Sequence, residues 1–508
     1  MPVFHVSQLS GRPRKWLRCP APAVGILLLF ASTVQAERPN ILFAISDDQS
    51  WLHAGAYGDR CVQTPNLDRV AQSGVRFNYG FVACSSCTPS RSAILTGQAI
   101  WRLEEGGVLW GELPNKFDVF PRLLEQAGYF IGHTGKAWGP GSWRAGGWDK
   151  PPSGTRYAQI RLKPPQPGIN PLDYAANFSR FLENRPDGHP FCFWLGTYEP
   201  HRAYAPGAGI AAGKKLADAR LPAAFPDARE TRSDVLDYYT EIEHFDRHLG
   251  RAIDAIEELG ELDQTLIIVT SDNGMCFPRG KANMYDISTR VPLAISWPDQ
   301  IPGGRVVDDF VSLTDIAPTI LEAAGVPAPA AMTGRSLLPL LQSDQSGRVE
   351  LHRDFVVTAF ERHTLCRTGN VGYPMRAIRT YDYLYIRNYT PERWPAGDPE
   401  IVAQPQGTYG DISRSPTKEF MIRHRDDPAV APLFALSFGK RPPEELYDVR
   451  ADPDQLHNLA DGRQYAPVRK QLAAQLQAYL EKWDDPRLRG DGNWSEYLYY
   501  GEGANVRR

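Results

Sequence analysis

Cys87-Thr88-Pro89-Ser90-Arg91 sets a thiol, a proline and a guanidinium at fixed offsets, and Ser92 to Gly97 continues as a segment able to start a helix. A side chain at a helix N-terminus lies beside unpaired backbone N–H groups and the positive end of the helix dipole, which favours an anionic substrate. Arg91 falls one turn further along the same face and can fork onto anionic oxygens. Two other groups stand at the ends of apolar runs: Asp47 and Asp48 after Asn40–Ile45, and Asp272 and Asn273 after Thr265–Thr270. Taken singly, Asp-Asp and Asp-Asn-Gly are turn and cap residues. Both pairs following apolar runs in one chain offer three carboxylates and an amide oxygen, a set suited to calcium or magnesium rather than zinc.

The elements that must position these residues are legible as an alternation. Asn40–Ile45, Tyr129–His133, Phe191–Leu195 and Thr265–Thr270 read as buried strands, each followed by a polar loop. Thr64-Pro65 opens a helix, with Thr64 as N-cap and Gly74 near its stop, and Phe120–Gly128 forms another. Ser233–Leu259 carries Leu236, Tyr239, Ile242, Phe245, Leu249, Ile253 and Ile256 three or four apart, one apolar stripe of a long helix. Alternating strands and helices predict an α/β fold, a large mostly parallel sheet sandwiched by helices, with ligands bound beyond the strand C-termini. After Leu341 the texture changes to dense aromatics, prolines and short strand-like runs such as Tyr381–Tyr389. The expected organisation is a catalytic domain over 37–345 and a smaller C-terminal α+β subdomain over 346–508.

Composition narrows the functions. The chain has 508 residues, 42% hydrophobic and 23% charged, with a net charge of −3. That supports a large core and gives no global basic field for nucleic acid. Residues 1–36 read as a signal peptide: Arg12, Arg14, Lys15 and Arg18 precede the apolar Ala23–Ala31, and Val34-Gln35-Ala36 is a cleavage site before Glu37. The apolar run is too short to span a bilayer, so a secreted or periplasmic protein with no membrane span is expected. Seven scattered cysteines are too few for a disulfide scaffold. Cys84 and Cys87 have the spacing of a redox motif but lack its surroundings.

Ordered motifs along nearly the whole mature chain resemble the formylglycine-dependent sulfatases. They are Pro39-Asn40-Ile41 through Asp47-Asp48, Thr64–Asp68, Cys87–Gly97, Gly135-Lys136, Pro200-His201, Thr270–Gly274, Arg290–Leu293, Leu446-Tyr447-Asp448, Asp452-Pro453 and Asn458-Leu459. The resemblance implies an alkaline phosphatase-like fold. It also implies that Cys87 is oxidised to formylglycine by a formylglycine-generating enzyme. Asp47, Asp48, Asp272 and Asn273 match the calcium ligands, with residue 87 completing the site. Arg91 matches the arginine that steadies the hydrated aldehyde. Lys136, His201 and Lys281 match groups that hold sulfate oxygens or protonate the leaving group. Where the family usually shows Gly-Lys-x-His, Ala137 is followed here by Trp138, which cannot act as a base. His133 is the nearest histidine in sequence. Asp286 replaces what is more often Glu.

Ser85–Arg91, Ser271–Pro278 and Tyr373–Arg376 resemble the heparan N-sulfatase (sulfamidase) branch most, pointing to a sulfated amino sugar or related glycan of heparan sulfate type. Trp101, Arg102, Trp110, His363 and Arg376 are candidates to line its pocket, with Arg376 as a substrate-binding residue. The alternatives are an O-sulfatase on another sulfated polysaccharide, a phosphoester or phosphonate hydrolase of the same superfamily, or a non-catalytic glycan-binding protein.

Overall fold

The computed structural model describes residues 38–501 without a break, with residues 8–9, 11–12 and 15 before them. The apolar run and cleavage site of the expected leader lie outside the described residues. Eight strands form the larger sheet: β1 (Asn40–Ser46), β2 (Val75–Phe81), β3 (Phe130–Gly135), β4 (Thr155–Arg156), β5 (Phe191–Gly196), β6 (Thr265–Ser271), β7 (Leu293–Ser296) and β8 (Arg305–Ser312). Their order is β4-β3-β5-β1-β6-β7-β2-β8. β7 runs antiparallel to both of its neighbours, and the other strands share one direction.

Alternation along the central strand explains its unbroken apolar character. Ile41, Phe43 and Ile45 of β1 enter one core, and Leu42 and Ala44 enter the core on the opposite face. Both faces are covered, so every position of β1 between its polar ends, Asn40 and Ser46, is apolar. Helices α1 (Pro65–Ser73), α2 (Cys87–Thr96), α3 (Phe120–Gln126), α4 (Tyr174–Glu183), α5 (Ala208–Ala211) and α6 (Arg229–Glu258) supply much of that cover. The expected stripe of α6 is 0–1% exposed from Leu236 to Ile256. The helix begins four residues before Ser233, in a polar first turn that periodicity does not mark.

One local expectation changes. Thr64 precedes α1 as anticipated, but its hydroxyl accepts from Gly55 N–H at 2.8 Å and donates to Asp68 at 3.2 Å, so it caps no first-turn amide. Helix α2 is buried along its whole length, so it carries no apolar stripe. Its end is marked by Gly97, whose left-handed φ of 64° suits a residue without Cβ.

The smaller sheet is antiparallel, in the order β12-β11-β10-β9, from β9 (Phe355–Phe360), β10 (Met375–Thr380), β11 (Tyr383–Asn388) and β12 (Glu444–Asp448). The strands of the two sheets fall on either side of the boundary expected at 345/346. One core nonetheless joins Ala93 and Ile100, near Cys87 in the chain, to Ala359, Ile378 and Leu476 of the C-terminal part. Among the described residues, no helix is long and apolar enough to cross a membrane.

Candidate active site

Strand order brings the reactive loops together. β3, β5, β1 and β6 are consecutive neighbours, and their C-terminal ends are in register: Gly135 pairs with Gly196, Ile45 with Gly196, and Ser46 with Ser271. Lys136, the loop to His201, Asp47-Asp48 and Asp272-Asn273 therefore emerge side by side. Helix α2 delivers Cys87 and Arg91 against the same edge.

The contacts are close. Cys87 Sγ is 3.6 Å from Asp47 Oδ1 and accepts from Lys281 Nζ at 3.0 Å. Lys281 Nζ also lies 2.7 Å from Asp48 Oδ1. Lys136 Nζ donates to Asp47 Oδ2. Arg91 Nε donates to Asp272 Oδ2 at 2.7 Å, and its Nη1 donates to the carbonyls of Lys136 and Ala137. Arg91 Nη2, 3.6 Å from Asp47 Oδ1, is buried and makes no hydrogen bond. His201 Nε2 is 3.8 Å from Asp48 Oδ2, while its Nδ1 pairs with the Arg202 carbonyl at 2.7 Å. Asp48 holds a left-handed φ of 76° where the chain leaves β1, a setting that costs a non-glycine residue about 1–3 kcal/mol.

Charge follows from these contacts. Burial would raise the Asp47 carboxyl, but Lys136 foremost, with His201 and Arg91, holds it at about 2. Burial pushes the Cys87 thiol up to about 12, against the pull of Lys136 and Lys281. Burial also works against the charged forms of Lys136 and Lys281, yet the facing carboxylates raise both. The unmodified cysteine is thus a protonated thiol among fixed cations, a poor nucleophile as it stands.

A divalent cation fits this donor set. Ligand atoms of Asp47, Cys87 and Asp272 lie within 4.8 Å of one another. Asp47, Asp48, Asp272 and Asn273 are all 0–1% exposed. Asn273 Oδ1 is buried with no hydrogen-bond donor, and a hard cation would satisfy it.

Above this floor opens a cavity of about 500 Å³, lined by Asp47, Cys87, Lys136, His201 and Lys281 and also by Trp110, Glu199, His363, Asp411 and Tyr499. Trp110 and His363 thus stand where the sequence suggested. Arg376 does not: it is fully buried, with Nε 2.7 Å from Asp485 and Nη2 2.7 Å from Glu361, and binds no substrate there. Trp101 and Arg102 reach the Trp483 carbonyl instead of the cavity. Trp138 packs against the core, its Nε1 donating to Ser92 Oγ at 2.8 Å. His133 is bonded to Gly154 O and Ser153 Oγ, away from the cavity lining. Asp286 forms a two-pronged pair with Arg379 at 2.8 and 2.9 Å, a structural task.

Glu199 had no role assigned from sequence. Its carboxylate accepts from Asn170 N–H and Tyr174 Oη–H, both at 2.8 Å, and burial pushes its pKa up to about 7. Its place at a strand end, two residues before His201, was the available signal. Asp411 and Tyr499 come from loops with no motif around them.

A cation cage beneath a cluster of lysine, histidine and arginine groups suits cleavage of an anionic ester. Known proteins agree with this class. The family model "Sulfatase" matches residues 39–326, and "N-sulphoglucosamine sulphohydrolase, C-terminal" matches residues 279–400. The chain belongs to the sulfatase family, and it is a sulfuric ester hydrolase. It is 27% identical to human N-sulphoglucosamine sulphohydrolase over 92% of this chain and 95% of that one. It is 25% identical to an N-acetylglucosamine-6-O-sulfatase of Bacteroides thetaiotaomicron, covering 89% of this chain and 88% of that one. A solved structure in complex with its substrate D-glucosamine-2-N,6-O-disulfate shares the fold with a TM-score of 0.63 and 22% identity, covering 88% of this chain and 98% of that one.

Proposed function

We propose that this chain is a calcium-dependent, formylglycine-bearing sulfatase of a sulfated amino-sugar glycan, with N-sulfoglucosamine of heparan type as its foremost substrate. The observation that carries the reading is the setting of Cys87. It lies at the N-terminus of a buried helix, at the foot of the cavity, between Lys281 at 3.0 Å and Asp47 at 3.6 Å. The substrate class is supported by the C-terminal family match over 279–400 and by the human relative.

Asp47, Asp48, Asp272 and Asn273, with the side chain at 87, would hold the calcium ion. When present, formylglycine and calcium supply a hydrated aldehyde as nucleophile and a positive charge beside it. The chain's own residues do the rest. Lys136 and Lys281 bring ammonium groups to the sulfate oxygens as charge develops there. Arg91, locked by Asp272 and two carbonyls, keeps the head of α2 in place, with its Nη2, free of hydrogen bonds, 3.6 Å from Asp47. His201 or Lys281 hands a proton to the departing sugar oxygen or nitrogen. The 37–345 segment then serves as the catalytic part and 346–508 as the part that closes the cavity. Export to the periplasm or beyond, and maturation by a formylglycine-generating enzyme, belong to the same proposal.

The test is a panel of defined sulfated saccharides, N-sulfated and O-sulfated, with released sulfate measured for wild type and Cys87→Ala. Wild type should release sulfate fastest from the N-sulfated glucosamine, and Cys87→Ala should be silent on all. Equal activity of the two proteins would overturn the reading.

A further inference from the structure

We propose that His363 is a further member of the anion site, its Nε2–H donating a hydrogen bond to an oxygen of the sulfate group bound beside residue 87. The proposal rests on the sulfatase reading above and adds a sulfate-binding residue to it.

The first observation is a helix cap that is not used as one. Ser86 is the N-cap of α2, with extended backbone angles of −151° and 138°, and its side chain caps no amide. A serine in that place ordinarily accepts from an N–H of the first turn, worth about 1 kcal/mol. Here Ser86 Oγ pairs at 2.8 Å with Nδ1 of His363. The cap is forgone, and an imidazole from the C-terminal part of the chain is fixed beside Cys87.

The second observation is what remains of the ring. With Nδ1 engaged by Ser86, Nε2 is the end left for a ligand, and no described residue hydrogen-bonds to it. His363 lines the same cavity as Cys87, Lys136, His201 and Lys281. The charged groups that face it are Asp411, Lys281, Asp48 and His201. Asp411 is neutralised by Arg367 at 2.7 Å and accepts from Thr364. Burial, the largest effect, pushes the His363 pKa down to about 4, so the ring is neutral near pH 7. If Ser86 Oγ–H donates to Nδ1, the proton of a neutral ring lies on Nε2. The lysines then supply charge to the anion, and His363 supplies a directional donor.

Inorganic sulfate is the direct probe, titrated calorimetrically into calcium-loaded Cys87→Ser protein, which needs no modification to bind. His363→Ala should weaken sulfate binding by about ten- to a hundredfold, the range for a hydrogen bond to a charged group. His363→Phe keeps the ring volume without the donor and should show the same loss, so it decides the matter if the alanine variant fails to fold. His363→Gln, whose amide nitrogen extends toward the Nε2 position, should recover part of the affinity. Ser86→Ala, which frees the ring, should lose less than His363→Ala. Unchanged sulfate affinity in a folded His363→Phe protein overturns the proposal and leaves the sulfatase reading intact. A loss seen only with glucosamine N-sulfate, and not with inorganic sulfate, also overturns it, because His363 then serves the sugar. Absence of sulfate binding in the Cys87→Ser parent overturns the anion site itself.

Discussion

The floor and the wall of the cavity are built from different kinds of sequence. The floor is made of short motifs at the ends of four adjacent strands and at the head of one helix, so Asp47, Asp48, Lys136, His201, Asp272 and Cys87 are each placed by the element next to them. The wall draws Trp110, Asp411 and Tyr499 from loops far apart in the chain. A floor set by strand register suits a reaction that stays the same. A wall set by loop packing can change its substrate without disturbing that floor.

The largest effect should come from the floor. Cys87→Ala is expected to lower kcat at least about a thousandfold on both a small sulfate ester and a sulfated saccharide, as loss of a nucleophile does. A variant that lost activity on saccharides alone would erase the contrast between floor and wall. Phosphate esters run in parallel should be turned over far more slowly than sulfate esters by the wild type.

Next comes the buried arginine that sequence placed in the wall. Arg376→Ala leaves Asp485 a buried carboxylate without a cation, while Glu361 keeps Arg487, so stability should fall by about 3–5 kcal/mol in urea unfolding. Sulfate affinity of the folded fraction should not change. An affinity loss with intact stability would return Arg376 to the cavity.

Calcium should act on the floor alone. At a concentration a hundred times its Kd, calcium should stabilise the wild type by about 2.7 kcal/mol, read as a rise in Tm. Asp272→Ala should abolish most of that rise. Trp110→Ala should leave it untouched and instead raise KM for a saccharide by about tenfold, with little change for a small sulfate ester.

The smallest effect lies behind the cavity. His244 and His248 on α6 are held neutral, chiefly by burial, with pKa values pushed down to about 3 and about 4. Their folded values lie below the unfolded value near 6.5. The stability they allow is therefore complete above about pH 6.5 and is lost as pH falls toward 4, when the unfolded chain takes up protons that the fold refuses. Urea midpoints should drop across that window, and His248→Gln should make the drop shallower. An unchanged slope would show that the acid sensitivity arises elsewhere.

Particular residues show how far the sequence could be read. β1 and β6 stood out because strands buried on both faces are apolar without interruption, and the first polar residues after them are the cage: Asp47-Asp48 and Asp272-Asn273. The α6 stripe was clear because its positions are apolar throughout, although Asp234–Ile242 are buried on every side and only the end of the helix, with Arg251, Asp254 and Glu257, turns a polar side to solvent. Arg376 was misplaced because a buried, fully paired arginine and a substrate-binding arginine look the same in one dimension. The burial of α2 on every side left no periodicity to read, although the motif that opens it was the strongest signal in the chain.

By itself the sequence determined the α/β architecture and the places of Cys87 and of the acidic strand ends, since each follows from local patterning: apolar runs, the polar residues that end them, and a motif at one helix head. Only the tertiary structure decided which distant loops make the wall. It turned Arg376 and Trp138 inward and joined Ser86 to His363. Such pairings arise from the packing of the smaller sheet and the C-terminal segment against the larger one, and packing between distant segments leaves no periodic trace in the chain.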